Sequence, residues 1–349
     1  MKRGILVLAL ALTLGGWGAG CGEPASREPA ADSSDPYNVL VEALRSGQPP
    51  LQSLAAETFL EIGRPPPRPV AEPLADASDP RVRTTILAMF GSTRRPDLVP
   101  LFRRKQRDAE AAVRLAADYG LAMAGDASGV SALRDALASP DVTLRRNAAW
   151  LLGLMGNPSA AGLLKIKLND PDAVVVLRAA EALYRLGSRE GIERVRTLTQ
   201  HDRHQVRYFA TYLLGRLGET SDIPRLERLC QSRFLDVKLA AMAALAERGN
   251  LKRIDMLLDL LEAPDLQTRV LAARVLGETA YTPALPRLAR MLAQSDPLER
   301  TVAAAAMARI QSARESWRSR ILMDMPPPAN EPASPPNEPA SPPNAAPAP

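Results

Sequence analysis

Leu144-Arg-Arg-Asn-Ala-Ala-Trp-Leu-Leu-Gly-Leu-Met-Gly156 has apolar side chains at offsets 0, 4, 8 and 11 from Leu144. That is the spacing of one helical face and not the alternation of a strand. The stretch decides the fold because it recurs every 31 residues. The equivalents of Leu144 are Leu51, Val82, Val113, Val175, Val206, Val237, Thr268 and Glu299, and no insertion breaks the register. Eight residues on, the side chain is apolar every time: Phe59, Phe90, Leu121, Leu152, Leu183, Leu214, Leu245, Leu276 and Met307. Four residues on it is Ala in every copy but the second, which has Ile86. A fixed period of this size marks a solenoid, whose units bury their apolar faces only against neighbours.

Each copy reads as two helices. Gly closes the first helix at Gly63, Gly125, Gly156, Gly187, Gly218 and Gly249, where a left-handed C-cap is expected. A second apolar set follows at offsets 17, 20 and 24, as in Val130, Leu133, Leu137 and Ile223, Leu226, Cys230. Loops such as Asp79-Pro80, Pro140-Asp141, Pro171-Asp172 and Asp296-Pro297 then place an N-capping carboxylate before the next helix. Asp296-Pro-Leu-Glu299 has the form of a capping box. Two helices of about 12 residues and two turns use up the period, so no strand fits. The fold expected is all-α: a right-handed α-solenoid of about nine 31-residue hairpins over 35–325, an open curved rod on the order of 80 Å long. Asp35-Pro36 opens an N-terminal half-cap helix with Tyr37, Leu40 and Leu44. At the other end a helix with Trp317, Ile321 and Leu322 is expected to cap the stack. In the first copy, Arg64-Pro-Pro-Pro-Arg-Pro69 and Pro73 predict a kink or a widened turn.

The pattern Val-Arg-x-x-Ala-Ala-x-x-Leu-Gly-x-x-Gly after an Asp-Pro or Pro-Asp loop resembles the HEAT-repeat proteins, in particular their phycobilin-lyase-like subgroup, over about residues 36 to 323. The resemblance implies a superhelix whose Arg-bearing helices line the concave side, in a family of which most members bind proteins and a few are enzymes.

Residues 1–20 have a basic start, a short apolar core and small residues before Cys21, the layout of a secretory signal peptide. The apolar run is too short to span a bilayer. Gly18-Ala19-Gly20-Cys21 resembles the lipobox of bacterial lipoproteins, which implies lipidation at Cys21; Gly18 replaces the usual Leu, so plain cleavage after Gly20 stays open. Residues 21–34 read as a lipidated flexible tether. Residues 326–349, with Asn330-Glu-Pro-Ala-Ser-Pro-Pro repeated from Asn337, read as a disordered Pro-rich tail. The chain is thus expected to be exported, as a cell-membrane or outer-membrane lipoprotein facing the periplasm. Removing Lys2 and Arg3 takes the formal charge from +5 to +3, a mild excess spread over a long surface.

A basic column at offset 1 comprises Arg83, Arg114, Arg145, Arg207, Lys238, Arg269 and Arg300, with Gln52 and Val176 as exceptions. Acids three places before the anchor (Asp79, Glu110, Asp141, Asp172, Asp265, Asp296) oppose it, which predicts a ladder of charge-assisted bonds. These acids neutralise the row, so no nucleic acid is expected as a partner. Offsets 6 and 10 lie about 200° around the helix from offset 8 and are expected to point away from the core. They put Tyr119, Trp150, Tyr212, Arg185 and Arg216 on one strip, flanked by Asn147 and Phe209. In a chain only 4% aromatic, rings and Arg gathered on one strip suggest a binding surface.

His201-Asp202-Arg203-His204 is the only group with metal-binding side chains, and two imidazoles with one carboxylate fall short of a site, so no metal is expected. Cys230, in an apolar column, is expected to be a buried inert thiol. Deoxyhypusine hydroxylases of HEAT type carry paired His-Glu steps, and this chain has none; it also lacks G-x-S-x-G, P-loop, H-E-x-x-H and C-x-x-C motifs. The expectation is a non-catalytic scaffold without catalytic residues or cofactor, holding an envelope protein or extended peptide on its concave face and the membrane through its lipid. A structural or assembly tether acting through the Pro-rich tail is the alternative, and an enzyme of the HEAT lyase or hydroxylase type comes third.

Overall fold

The computed structural model describes residues 34–324. The signal segment 1–20, Cys21 with all but the last residue of the tether, and the tail 326–349 lie outside the described residues. Within them the chain is helical and has no strand. The first helices are α1 (Pro36–Arg45), α2 (Pro49–Ile62), α3 (Arg68–Ala71), α4 (Pro80–Ser92), α5 (Val99–Lys105) and α6 (Ala111–Met123). Next come α7 (Ala127–Leu137), α8 (Val142–Met155), α9 (Ala161–Lys167), α10 (Ala173–Arg185), α11 (Ile192–Leu198) and α12 (His204–Leu217). The last are α13 (Ile223–Leu229), α14 (Leu235–Ala246), α15 (Leu251–Asp259), α16 (Leu266–Glu278), α17 (Leu285–Leu292) and α18 (Pro297–Asp324). Even-numbered helices are the first helices of the nine copies and form an inner layer. Odd-numbered helices pack outside them. The first copy has the widened turn its prolines predict, since α3 is one turn long and passes into a 3₁₀ segment, Glu72–Asp76.

The helices start where the loop acids predict. Asp35, Asp79, Asp141, Asp172 and Asp265 each accept a backbone N–H from the first turn of the following helix. Five of the six closing glycines take the left-handed conformation: Gly63, Gly125, Gly156, Gly187 and Gly249. Gly218 does not. It stays at φ −66°, and Arg248 instead donates to the terminal carbonyls Leu214 O (3.0 Å) and Gly215 O (3.0 Å). Copies two and eight, lacking Gly, force Arg94 and Ala280 to φ 55° and 54°.

The expectation of an open rod is corrected: the stack closes on itself. Helix α1 packs against α18 as other outer helices pack against the inner helix of their own copy, and α18 also packs against α2. Arg309 Nε donates to Glu61 Oε2 across this joint at 2.5 Å, and Arg300 comes within 3.7 Å of Glu42. The half-cap helix therefore completes the ninth copy, and nine copies turn through a full circle at ~40° each. The expected separate C-terminal cap helix does not form. Helix α18 runs unbroken through 28 residues, about 42 Å, passing Gln311 in helical conformation where Arg94 and Ala280 of copies two and eight break theirs without a Gly.

A doubled period of 62 residues is superposed on the ring. Gly91, Gly153, Gly215 and Gly277 sit at offset 9 of copies two, four, six and eight, facing Gly120, Ala182, Ala244 and Ala306 in the copies that follow. A Cβ on Gly153 would lie 2.8 Å from that of Ala182, and one on Gly277 would lie 2.6 Å from Ala306 Cα. Contacts this short require glycine at the crossing. The ring is therefore four close pairs of inner helices (α4–α6, α8–α10, α12–α14, α16–α18) with α2 between the last pair and the first.

Gly153→Ala should lower unfolding stability by about 1–3 kcal/mol, since the added methyl overlaps a neighbouring helix. Gly162→Ala, where a Cβ meets nothing within 4 Å, should raise it by up to ~1 kcal/mol. Urea melts of the two variants compare these effects directly; equal shifts would mean that the pairs are not closely packed.

Candidate functional site

The strip at offsets 6 and 10 does face the middle of the ring, but its expected exposure is corrected. Tyr119 is 0% exposed, Trp150 5%, Phe209 0% and Tyr212 8%, while Asn147, Arg185 and Arg216 are half-buried. Nine inner helices in a closed circle bring opposite walls close enough to cover one another. Glu57 on α2 feels the charge of Arg178 on α10, a helix on the far side of the ring order. The strip is thus part of the packed interior.

That interior is unusually ionic. Four glutamates (Glu57, Glu61, Glu181, Glu278) and five arginines (Arg178, Arg185, Arg216, Arg274, Arg309) lie on it, with the exposed Glu247 beside Arg216. Glu181 accepts from Arg178 (3.0 Å) and Arg185 (2.7 Å), and Glu278 accepts from Arg274 (3.0 Å). Arg178 also lies 4.9 Å from the centre of the Phe209 ring. Burial, reinforced by the neighbouring Glu61 charge, pushes the Glu57 carboxyl up to about 8. Burial likewise raises Tyr119 to about 12, although its hydroxyl is 2.9 Å from Ser92 Oγ. A cavity of about 20 Å³ opens among Tyr212, Gly215, Arg216, Ala240, Ala243 and Glu247. It has room for a molecule no larger than water.

The Arg column forms bonds in a different register from the one expected. Of the acids three places before the anchor, Asp79, Asp141, Asp172, Asp265 and Asp296 cap their own helices, Asp172 also receiving Arg146, while Glu110 makes no cap bond. Arg83 instead donates to the carbonyls of Ala77 (2.8 Å) and Ser78 (3.0 Å) and grips Asp108 of the next copy (3.0 and 2.9 Å). Arg145 does the same with Ser139 O, Pro140 O and Asp170, and Arg269 with Ala263 O, Pro264 O and Glu299. Glu299 therefore does not complete the capping box; it receives Arg269, while its own N–H still donates to Asp296. Partial burial would raise the Asp108 and Asp170 carboxyls, yet the arginine forks and backbone N–H groups outweigh it and hold both below the usual range. Arg114 and Arg207 donate to loop carbonyls, and Arg300 approaches Glu42 of α1. Lys238 forms no ladder bond among the described residues.

The His loop holds no metal-ligating group: three or more His, Cys, Asp or Glu side chains suited to a metal do not gather anywhere among the described residues. His201 Nδ1 accepts the Arg203 N–H at 3.1 Å, and His204 stacks on Phe234 with ring centroids 4.9 Å apart. Arg207 and Arg233 lie 4.7 and 4.8 Å from the centre of the same ring. The sequence reading passed over Phe234 and Arg233; the signal was Phe where the capping Asp of other copies stands. Cys230 is buried, and burial raises its thiol. No helix among the described residues is long and apolar enough to cross a membrane.

Residues 98–166 and 160–246 match the HEAT repeats family, so this part of the ring consists of HEAT repeats, and the same register continues on both sides of it. Solved structures with a similar fold include the complex of CpcE and CpcF of phycocyanin lyase from Nostoc sp. PCC7120. It is 23% identical, with a TM-score of 0.48 over 65% of this chain and 93% of that one. The Escherichia coli protein YIBA is 15% identical, with a TM-score of 0.39 over 82% and 99% of the two chains. Human deoxyhypusine hydroxylase in complex with glycerol is 17% identical, with a TM-score of 0.31 over 78% and 98%. No curated protein matches the chain. The expectation that the chain is no enzyme is corrected on these findings. A phycocyanin lyase complex and a deoxyhypusine hydroxylase are among the structures to which the chain is similar.

Two variants test the ionic interior. Glu57 keeps its proton in the folded chain up to about pH 8, whereas the unfolded chain releases it near 4.5. Its contribution therefore makes the fold less stable as pH rises through that window. Glu57→Gln should remove the slope and gain roughly 2–4 kcal/mol at pH 8 over the wild type, read from denaturant melts at pH 5 and pH 8. At the closing joint, Arg309→Met takes from the buried Glu61 its partner across the joint and should cost about 3–5 kcal/mol, much of it recovered by adding Glu61→Gln. Hydrogen exchange in α1 should accelerate in the single variant more than in α9.

Proposed function

We propose that the chain is a protein-binding HEAT scaffold of the bacterial cell envelope, tethered to the membrane by a lipid on Cys21 and carrying its partner on the outer surfaces of the ring. The observation that carries this reading is the closed ring itself. Its middle is filled by the chain's own side chains, and its copies are locked to one another by the Arg83–Asp108, Arg145–Asp170 and Arg269–Glu299 forks. A body of that kind supports recognition by shape on a rigid outer face, where each contact costs little ordering entropy. The envelope setting rests on the signal-like segment 1–20 and the lipobox-like Gly18-Ala19-Gly20-Cys21.

A second reading has one observation in its favour. Asn330-Glu-Pro-Ala-Ser-Pro-Pro occurs twice in the tail, and a repeated Pro-rich segment suits a domain that reads polyproline II. Capture from envelope extract separates the two. The full chain and a chain lacking 326–349 should retain the same partner, whereas loss on deletion would transfer the contact to the tail. Cys21→Ser should move the chain from the membrane to the soluble fraction; a variant that stays with the membrane would overturn the lipid tether.

A further inference from the structure

The nine copies act as an internal control for one another. What the fold requires recurs, and an exposed departure from it calls for another cause. In three of the four close pairs the even copy's Arg reaches an acid of the next copy: Arg83 to Asp108, Arg145 to Asp170, Arg269 to Glu299. The pair α12–α14 departs. Arg207 meets the Phe234 ring where its counterparts meet a carboxylate. The helix-capping Asp is also missing from both members of the pair, being replaced by Arg203 and Phe234, and neither α12 nor α14 has a side-chain cap.

These replacements bring cations together. Arg207 and Arg233 lie against Phe234 and His204 stacks on it, while Arg203 immediately precedes His204 at the start of α12. Arg203 and Arg233 are exposed. Arg233 has no carboxylate partner among the described residues, and Arg203 only the edge of Asp172 at 3.9 Å, already taken by Arg146 at 2.6 Å. Each departure costs the fold a cap or an ion pair, and together they leave an arginine-rich patch around one half-buried ring. His201 also borders a depression of about 310 Å³ in which Leu168, Pro171, Val176 and Leu198 line the wall beside Asp170 and Arg194, and Asp170 is already held by Arg145. Cations beside a partly apolar hollow complement carboxylates beside an apolar side chain.

We propose that this patch, made of Arg203, His204, Arg207, Arg233 and Phe234, docks an acidic peptide segment of the partner, its carboxylates on the arginines and an apolar side chain in the depression lined by Leu168 and Leu198. The proposal rests on the scaffold reading and specifies the surface and the chemistry of what it holds. A flat anionic membrane suits the patch less well, because its cations gather about one ring and do not spread over a broad face.

The test uses the variant that restores the regular pattern, Arg203→Asp with Phe234→Asp. The probe is a fluorescein-labelled (Glu-Leu-Asp)₄ peptide, read by anisotropy at two salt concentrations. The wild type should bind it with an affinity that falls with salt. The restored variant should melt at or above the wild-type temperature and bind at least tenfold more weakly. Arg203→Ser with Arg233→Ser should show the same loss, while Arg134→Ser with Arg314→Ser, an equal change of charge elsewhere, should bind as the wild type does. Equal loss in both serine pairs, or no peptide binding by the wild type, would overturn the proposal. Binding of phosphatidylglycerol vesicles through Arg203 and Arg233 in place of the peptide would overturn it in favour of a membrane contact. If the restored variant still captures the envelope partner, the scaffold reading stands and this surface is wrong; if the wild type captures none, the scaffold reading itself fails.

Discussion

The approach of inner helices over glycine and alanine governs this molecule. Where Gly153 faces Ala182 and Gly277 faces Ala306 there is no room for a further methyl group, so those crossings fix how far each copy turns relative to the last. Dispersion between such closely packed backbones is summed over many weak contacts, and it is the same in every close pair. The forks from Arg83, Arg145 and Arg269 lie at the same joints and hold the loops in the register that the crossings set. Curvature, closure and a filled middle all follow from that spacing.

Closure in turn explains the ionic interior. In an open solenoid the concave face meets water and charged side chains there are cheap. Once the circle closes, the same side chains are desolvated, and a buried charge is tolerable only with a partner. The buried glutamates and arginines meet that condition among themselves, with Glu57 the exception, kept neutral by its surroundings. Hydrophobic side chains of equal size would fill the space more favourably. The ionic set instead imposes a pairing, Glu61 with Arg309 at the joint and Glu181 with Arg178 and Arg185 opposite, that an apolar filling could not specify.

Much of the fold was legible in the sequence because a repeat is read nine times. The hairpin, its capping acids and its apolar columns at offsets 0, 4 and 8 follow from periodicity alone. Closure was not legible, since whether nine copies make a rod or a ring depends on a small rotation per copy that summation magnifies. The burial of Tyr119, Trp150 and Tyr212 was missed as well, Tyr119 lying over Gly91 and bonding Ser92 of the neighbouring helix. Gly91, Gly153, Gly215 and Gly277 did carry a signal of pairing, but a register of 31 residues averages over the alternation. The departures at Arg203 and Phe234 were visible as missing acids, and they acquired meaning only when the other pairs showed what the acids' neighbours bind.

Because α1 lies along α18, both ends of the folded body leave it from the same sector. A pull applied through the chain before Pro36 and beyond Asp324 therefore acts on the two sides of one joint. In an open solenoid the same tension would pass through every copy in series and stretch the stack like a spring. Here the loaded joint is the one place in the circle with no peptide connection across it, and it yields by peeling one helix from another, the Glu61–Arg309 pair with it. The other eight joints carry none of that load until the circle has opened.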